Sequence, residues 1–217
     1  MIKIENVAVN GWDAAIRGAR NPMNSWHLSD SYWTHIEDAE TLETANYHYF
    51  IGKNDHNLLR NLANAGPDHG KFLRMITVTM DVTAPLYWWK EADQYKISTV
   101  TNSCSTMHKI HAKPFTLEDF SHEQMTCDAV AILNLVIEHL NQRRCDYLES
   151  GRKIYWWDLI QILPSSYNQR RTYFLNYANL KSMYHARKNH KLDEWHVFCD
   201  FITTLPYAEL ITGEELV

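Results

Sequence analysis

Residues 72–106 read FLRMITVTMDVTAPLYWWKEADQYKISTVTNSCST, and this stretch carries the signals that decide the fold. Its first part, 72–82, is rich in Ile, Val, Thr and Met with partial alternation, which predicts a β-strand. Pro85 predicts the start of a helix over 86–93, because proline is tolerated in the first turn of a helix. The polar run 98–106 is a poor helix former and predicts a loop.

The regions on either side add one strand and several helices. Alternation predicts a strand over 2–9. Apolar periodicity, caps and proline boundaries predict helices over 12–20, 54–65, 121–147 (capped by Ser121), 168–189 and 193–204. No linker, repeat or low-complexity tract interrupts the chain. The sequence therefore predicts a helix-rich α+β fold with a small, mainly antiparallel sheet, in a single domain spanning 1–217.

Composition excludes several classes of protein. The chain has 217 residues, 45% of them hydrophobic, with only 7 Gly and 6 Pro, which excludes a disordered protein. Its 21 Lys and Arg against 26 Asp and Glu give a net charge of −5, so no nucleic-acid polymer is expected as a partner. No apolar run approaches the roughly 20 residues of a membrane helix, so no membrane partner is expected either.

The cysteines and the N-terminal residues indicate the cellular compartment of the protein. Four cysteines are scattered without a CxxC pair, and the first residues lack an apolar core of signal-peptide length. We therefore expect reduced thiols and a cytoplasmic protein.

The basic residues are not spread evenly. No Asp or Glu occurs in 94–117 or in 164–192, and the second window contains Arg170 and Arg171. In an acidic chain, such windows indicate a site for a small anion, and the hydroxyls of 98–106 suit phosphate oxygens. The alternative is a solvated basic face opposite an acidic neighbour, across a subunit interface for example. Cys104 lies among these hydroxyls and is either a nucleophile or a structural cysteine.

The sequence gives less support to other nucleotide-binding motifs, to hydrolase motifs and to a metal site. The sequence has no Walker loop, no GxGxxG and no GxSxG. Twelve histidines invite a metal interpretation, but no HExxH motif or paired carboxylate accompanies them, so no metal site is predicted. The aromatic clusters 87–89 and 155–157 either stack on a flat ring or pack in the core.

The order of several short motifs resembles that of the flavin-dependent thymidylate synthase family, over about 54–206. The matching pieces are Pro67-Asp68-His69, Ala84-Pro85, the segment 94–105, Ile162-Leu163-Pro164, Asn176 and Ala186-Arg187.

This resemblance implies a homotetramer of α+β subunits with sites between subunits. It implies FAD, a reduced nicotinamide and methylenetetrahydrofolate as the means of methylating dUMP. On the family pattern, His69 and Asn176 contact flavin, and Arg187 binds the nucleotide.

The chain departs from the family signature, Arg-His-Arg-x-x-Ser-x-Asn-Glu-x-Ser-x-Arg-Tyr. Its first three residues become Gln94, Tyr95 and Lys96. A single ammonium thus replaces two guanidinium groups and cannot form their bidentate contacts. The second serine of the signature falls at Cys104, unless a gap of one residue restores Ser103 or Ser105.

These considerations predict a set of site residues in three groups. The predicted cofactor ligands are His69, Gln94, Tyr95, Lys96 and Asn176. The predicted substrate ligands are Arg187, Arg170, Arg171 and Ser103. The predicted catalytic residues are Cys104 and Ser105.

The predicted function is binding of FAD and a pyrimidine nucleotide, with methylation of dUMP or a related nucleotide. NADPH and methylenetetrahydrofolate are the expected co-reactants of a catalytic protein. One alternative is a non-catalytic oligomer that senses or sequesters a nucleotide, and another is a structural oligomer with an unused pocket.

Overall fold

The computed structural model describes residues 2–36 and 46–213, and all the elements below lie within them. The strands are β1 (Lys3–Asn10), β2 (Tyr32–Ile36), β3 (Asn46–Phe50), β4 (Thr77–Pro85), β5 (Val100–Ser103) and β6 (Asn168–Asn176). The helices are α1 (Trp12–Arg20), α2 (Lys53–Asn64), α3 (Leu86–Ala92), α4 (Thr106–Lys109), α5 (Cys127–Ser150), α6 (Lys153–Ile162), α7 (Tyr177–Arg187), α8 (Asp193–Thr203) and α9 (Glu209–Thr212). Short 3-10 helices cover Asn21–Met23, Trp26–Leu28, Gly70–Arg74 and Leu117–Asp119.

The described strands form two sheets. One has four strands in the order β1-β4-β6-β5, and the other is the antiparallel pair β2-β3, in which Trp33 lies opposite Tyr49. In β4 the side chains of Val78, Met80 and Val82 are buried and alternate with partly exposed ones. That alternation is typical of a strand with one face on a core. The predicted helix-rich α+β fold with a small antiparallel sheet is confirmed.

The chain divides into two compact units. Unit 1 comprises Met1–Asn6, Met80–Lys96 and Val100–Tyr173, and unit 2 comprises Val7–Thr79, Ile97–Thr99 and Phe174–Val217.

Helices α5 and α6 build the core of unit 1. They pack against each other, and α5 ends at Gly151, which adopts the left-handed conformation (φ 65°) that commonly stops a helix. The apolar face of α5 contributes Leu133, Ile137 and Leu140 to a buried cluster. The remaining buried members of this cluster are Ile110, Phe115, Phe120 and Leu159.

Helix α7 is central to unit 2, where it packs against α8, α9 and the 3-10 helix 70–74. The side chains of Tyr177, Leu180 and Met183 are fully buried along it. Gly11 starts α1 with φ 94°, and a Cβ atom there would lie 2.1 Å from the carbonyl oxygen of Met75. Only glycine fits at this close approach.

Several predicted elements are confirmed within one or two residues at most ends. The strand predicted over 2–9 is β1, and the helices predicted over 12–20, 54–65, 86–93 and 193–204 are α1, α2, α3 and α8. The strand predicted over 72–82 is β4, but it begins only at Thr77, because 70–74 form a 3-10 turn.

Other predicted elements are wrong. The helix predicted over 168–189 is a strand, β6, followed by the shorter helix α7. The loop predicted over 98–106 contains the edge strand β5, whose side chains are all exposed. An edge strand without a buried face shows no apolar alternation, so its sequence resembles that of a loop.

The predicted start of the longest helix is also wrong. Helix α5 begins at Cys127 after Thr126, rather than at Ser121. The Ser121 hydroxyl instead donates a hydrogen bond to Asn168 Oδ1 at 2.9 Å.

Candidate functional site

A cavity of about 750 Å³ lies in unit 1 beside the ends of β5 and β6, and we refer to it as the β5–β6 cavity. Its walls combine hydroxyl, amide, aromatic and charged side chains. They comprise Lys3, Thr83, Cys104, Ser105, Thr106, Lys109, Ile110, Lys113, Glu118, Asp119, Phe120, His122, Glu123, Tyr167, Asn168, Gln169 and Arg170.

The pairing of β5 with β6 positions Cys104. Its backbone N–H donates to the carbonyl oxygen of Arg170 at 2.9 Å, and Gln169 Nε2 donates to the Cys104 carbonyl at 2.9 Å. The residue itself is exposed. The backbone is therefore held on both sides while the side chain lies at the cavity wall.

Ser105 caps the short helix α4. Its hydroxyl oxygen accepts a hydrogen bond from the backbone N–H of His108 at 3.1 Å. This bond satisfies one of the unpaired donors at a helix start. Ser105 thus shares the cavity with Cys104, but its oxygen already has one partner.

Both signs of charge line the β5–β6 cavity. Lys113 Nζ lies 2.5 Å from Asp119 Oδ1, and this hydrogen bond raises the pKa of Lys113. Lys3 pairs with Glu5 at 2.8 Å. Among the described residues, Lys109 has no carboxylate partner. Lys109 is therefore the lysine of this cavity best able to meet an anion.

Arg170 is bound to a carboxylate. Its guanidinium Nη2 lies 2.8 Å from Asp81 Oδ2, and Asp81 also accepts hydrogen bonds from Thr172 and Asn6. The hydrogen bonds from Thr172, Asn6 and Arg170 hold the pKa of Asp81 well below its usual range. Asp81 is therefore ionised at neutral pH and orients Arg170.

Arg171 is held on a tryptophan. Its guanidinium carbon lies 4.2 Å from the ring centroid of Trp89, a cation–π distance, and its Nη1 lies 2.8 Å from Asp93 Oδ1. Its Nε also donates to Gln169 Oε1 at 3.0 Å. The buried Trp89 indole N–H donates to the Gln169 carbonyl at 2.9 Å.

The segment that replaces the family signature is exposed. Gln94 and Lys96 are exposed in the turn after α3, Tyr95 is half-buried there, and Ser103 is exposed on β5.

The other predicted site residues belong to unit 2. His69 is exposed before the 3-10 helix Gly70–Arg74. Asn176 is buried, and its side-chain oxygen accepts from Asn179 N at 3.0 Å as the cap of α7. Arg187 ends α7 with its guanidinium 5.0 Å from the ring centroid of Trp195. The structure thus brings Cys104, Ser105 and Arg170 to one cavity, whereas His69, Asn176 and Arg187 belong to the other unit.

No protein-family model and no curated protein sequence matches the chain. Solved structures match it over almost its whole length. A flavin-dependent thymidylate synthase, ThyX, from Helicobacter pylori, complexed with FAD and dUMP, gives a TM-score of 0.69 at 15% identity, covering 97% of this chain and 98% of that chain. The UMP/dUMP methylase PolB from Streptomyces cacaoi, bound with 5-Br dUMP, gives 0.62 at 17% identity, covering 98% and 95%.

The chain has the flavin-dependent thymidylate synthase fold. The resemblance seen in the order of sequence motifs is thereby confirmed at the level of the fold. Within the described part of this fold, no helix combines the length and apolar composition of a membrane span. Among the described residues, no three His, Cys, Asp or Glu side chains converge as metal ligands would.

Lys109 and Tyr167 line the β5–β6 cavity but are not among the site residues that the sequence predicts. Lys109 lies in the acid-free window 94–117, so the charge pattern was a usable signal for it. Tyr167 reaches the cavity only because the chain turns after Pro164, where the Tyr167 N–H donates to the Pro164 carbonyl at 3.0 Å. No feature of the sequence around Tyr167 indicated that position.

Proposed function

We propose that this chain binds a pyrimidine nucleotide together with FAD and methylates dUMP or a related nucleotide. The fold match carries this proposal, because structures of the same fold include one complexed with FAD and dUMP and one named a UMP/dUMP methylase. The cavity volume of about 750 Å³ supports it, since small-ligand sites fall in the range of about 300–1,000 Å³.

The β5–β6 cavity fits the anionic end of a nucleotide. Lys109 offers an ammonium, and the hydroxyls of Ser105 and Thr106 lie on the same wall. Such groups are suited to phosphate oxygens. In this proposal Ser103, Arg170 and Arg171 are the further substrate ligands of unit 1. Arg187, which belongs to unit 2, is a proposed nucleotide ligand on the family resemblance alone.

The proposed flavin ligands are His69, Gln94, Tyr95, Lys96 and Asn176. Lys96 and Gln94 are exposed, and they offer one ammonium and one amide to an anionic cofactor. A bound flavin supplies electron transfer, with NADPH as the reductant and methylenetetrahydrofolate as the carbon donor. The chain's own contribution is to bind and orient these molecules, with Cys104 and Ser105 as the proposed catalytic residues beside the nucleotide.

A non-catalytic binder of the same fold is the second candidate. Two observations favour it: Lys96 is the only cation among the residues that replace the Arg-His-Arg signature, and both Arg170 and Arg171 are engaged by carboxylates. In this candidate the same cavity holds a nucleotide without turnover.

Flavin absorbance tests the first step of the proposal. Purified protein incubated with FAD and freed of excess should absorb between about 350 and 500 nm, where bound flavin is visible. A colourless protein that also shows no thermal shift with FAD or dUMP contradicts the proposal.

Nucleotide titrations test the anion site. Lys109→Ala and Arg187→Ala should each weaken dUMP binding about tenfold, the loss expected for one charge-assisted contact, and should leave deoxyuridine binding unchanged. Lys53→Ala is the matched control, because Lys53 is an exposed lysine at the start of α2 in unit 2.

Turnover separates the two candidates. NADPH oxidation that requires both dUMP and methylenetetrahydrofolate establishes the enzyme, and Cys104→Ala or Ser105→Ala should then lower kcat. Stoichiometric dUMP binding without such oxidation establishes the binder.

We also propose a homotetramer, as the family resemblance implies.

A further inference from the structure

A second cavity, which we name the aromatic cavity, lies in unit 2 and has a volume of about 470 Å³. Four segments form it: the end of β1 with the start of α1, strand β2, strand β3, and the chain from the end of α8 to α9. Its walls comprise Val7, Val9, Asn10, Gly11, Trp12, Trp33, His48, Tyr49, Phe201, Thr204, Leu205, Pro206 and Tyr207.

Pairs of aromatic rings make up much of this wall. The ring centroids of Trp12 and Tyr207 lie 5.1 Å apart at an interplanar angle of 67°, and those of Trp33 and Tyr49 lie 5.0 Å apart at 63°. Both are edge-to-face pairs, which hold the rings in defined orientations. Phe201 adds a fifth ring.

The backbone of Tyr207 is strained. Its φ of 53° lies in the left-handed region, which a bulky side chain rarely adopts. Its ring is held at centroid distances of 5.1 Å from Trp12 and 5.3 Å from His56. Strain of this kind persists where the surroundings over-determine it, and it clusters at functional sites.

Charge distinguishes the aromatic cavity from the β5–β6 cavity. Charged residues make up 22% of the chain, yet no Lys, Arg, Asp or Glu is among the described residues that line the aromatic cavity. Its polar side chains are an amide, an imidazole and hydroxyls, and Asn10 and His48 make no side-chain hydrogen bond to other described residues. A charged ligand would lose hydration there without a counter-charge from the described residues of the wall.

We propose that the aromatic cavity binds an uncharged, planar heteroaromatic ring of nucleobase size. Aromatic rings stack on the π-face of any base, and the volume is ordinary for a small-ligand pocket. Asn10 and His48 offer an amide and an imidazole to heteroatoms at the ring edge. This site is separate from the nucleotide site proposed above and does not depend on it.

Calorimetric titration with adenosine and with adenosine 5′-monophosphate tests this proposal. Adenosine should bind saturably, and the monophosphate should bind no more tightly, because no lysine or arginine is among the described residues that line the cavity. Absence of saturable adenosine binding overturns the proposal. A monophosphate that binds tenfold more tightly than adenosine also overturns it, since that preference requires a cationic site.

Two tryptophan variants locate the binding. Trp33→Ala should weaken adenosine binding at least tenfold, whereas Trp26→Ala should change it less than twofold. Trp33 and Trp26 are 57% and 52% exposed, so both variants should keep the fold, which circular dichroism checks. Equal effects of the two variants contradict the proposed location. FAD and dUMP binding should be unchanged in Trp33→Ala, so this site and the proposed function can fail independently.

Discussion

Asp55 is a fully buried carboxylate that ties a long loop to the start of α2. Its Oδ1 lies 2.5 Å from Arg20 Nε, and its Oδ2 accepts hydrogen bonds at 2.6 Å from the hydroxyls of Ser29 and Ser31. Arg20 is itself buried and donates to the carbonyl oxygen of Leu28 at 3.0 Å. Each charge therefore compensates the other for its lost hydration, and burying either charge without the other would destabilise the fold.

We expect Asp55→Asn to lower the free energy of unfolding at pH 7 by about 3 kcal/mol or more, because it leaves the buried Arg20 without a counter-charge. Urea unfolding followed by circular dichroism measures the change. Asp13→Asn is the matched control: its pair with Arg17 is exposed, so the change should stay below about 1 kcal/mol. An Asp55→Asn protein as stable as the wild type contradicts the expected role.

The same residue predicts a pH dependence. Burial raises the pKa of Asp55, but hydrogen bonds from Ser29, Ser31 and Arg20 outweigh it, and the pKa is lowered. A lowered pKa stabilises the fold above the unfolded value of about 3.9 and loses that contribution as the pH falls through the folded pKa. Wild-type stability should therefore fall on acidification below pH about 4, and the fall should be smaller in Asp55→Asn.

At the scale of elements, the boundary between β6 and α7 depends on one residue. The sequence 168–189 predicts a single helix, but the structure changes from strand to helix at Asn176. Two signals indicate this boundary. Tyr173 and Leu175 alternate as in a strand, and the Asn176–Asn179 pair forms a reciprocal capping box. The sequence hides the alternation, because the same face continues with Gln169 and Arg171 and because the residue between Tyr173 and Leu175 is the apolar Phe174.

Asn176 caps α7 and is also a predicted flavin ligand, and substitutions separate the two roles. Asn176→Ala should lower the free energy of unfolding of the flavin-free protein by about 1 kcal/mol, the usual loss of an N-cap. Asn176→Ser keeps a capping oxygen and should recover most of that stability. Thermal unfolding of flavin-free protein measures both.

The flavin role has its own readout. If Asn176 contacts flavin, Asn176→Ser should still bind FAD more weakly than the wild type. Unchanged stability in Asn176→Ala contradicts the capping role, and unchanged FAD affinity in both variants contradicts the flavin role.

The helices that the sequence predicts best carry local signals. Helix α1 matches its predicted bounds of 12–20, although Asn21 before Pro22 keeps helical dihedrals (φ −55°, ψ −45°) and begins a 3-10 helix. Helix α2 ends close to Gly66. The β5–β6 cavity is less predictable, because its walls come from segments far apart in the chain. The sequence indicates Cys104, Ser105 and Arg170, but only pairing of β5 with β6 joins them.

At the scale of the whole molecule, the acid-free windows do not show which carboxylates from other parts of the chain lie near their basic residues. Arg170 and Arg171 lie in a window without carboxylates, yet Asp81 and Asp93 reach them from β4 and from the end of α3. Counting charged residues along the sequence does not reveal ion-pair partners that are distant in sequence. The windows remain informative for Lys109, which has no carboxylate partner among the described residues.

The chain around Gln94 and Lys96 exposes two large apolar side chains. Ile97 is 84% exposed and Val100 is 62% exposed, beside the predicted ligands Gln94 and Lys96. Large apolar side chains clustered at a surface typically mark an interface. A second copy covering this segment would bury Ile97 and complete the proposed flavin site, consistent with the proposed homotetramer.

We therefore expect a native mass of about four times the 25.5 kDa of one chain. Ile97→Glu should reduce both the native mass and FAD affinity, because a carboxylate is costly to bury in an interface. Met23→Glu is the matched control, since Met23 is 81% exposed in a different segment, and it should change neither. Light scattering after size exclusion, with flavin absorbance on the same fractions, measures both quantities. An Ile97→Glu protein that keeps the full mass and binds FAD normally excludes this segment from the interface, whereas a wild-type monomer that binds FAD removes the need for a shared site.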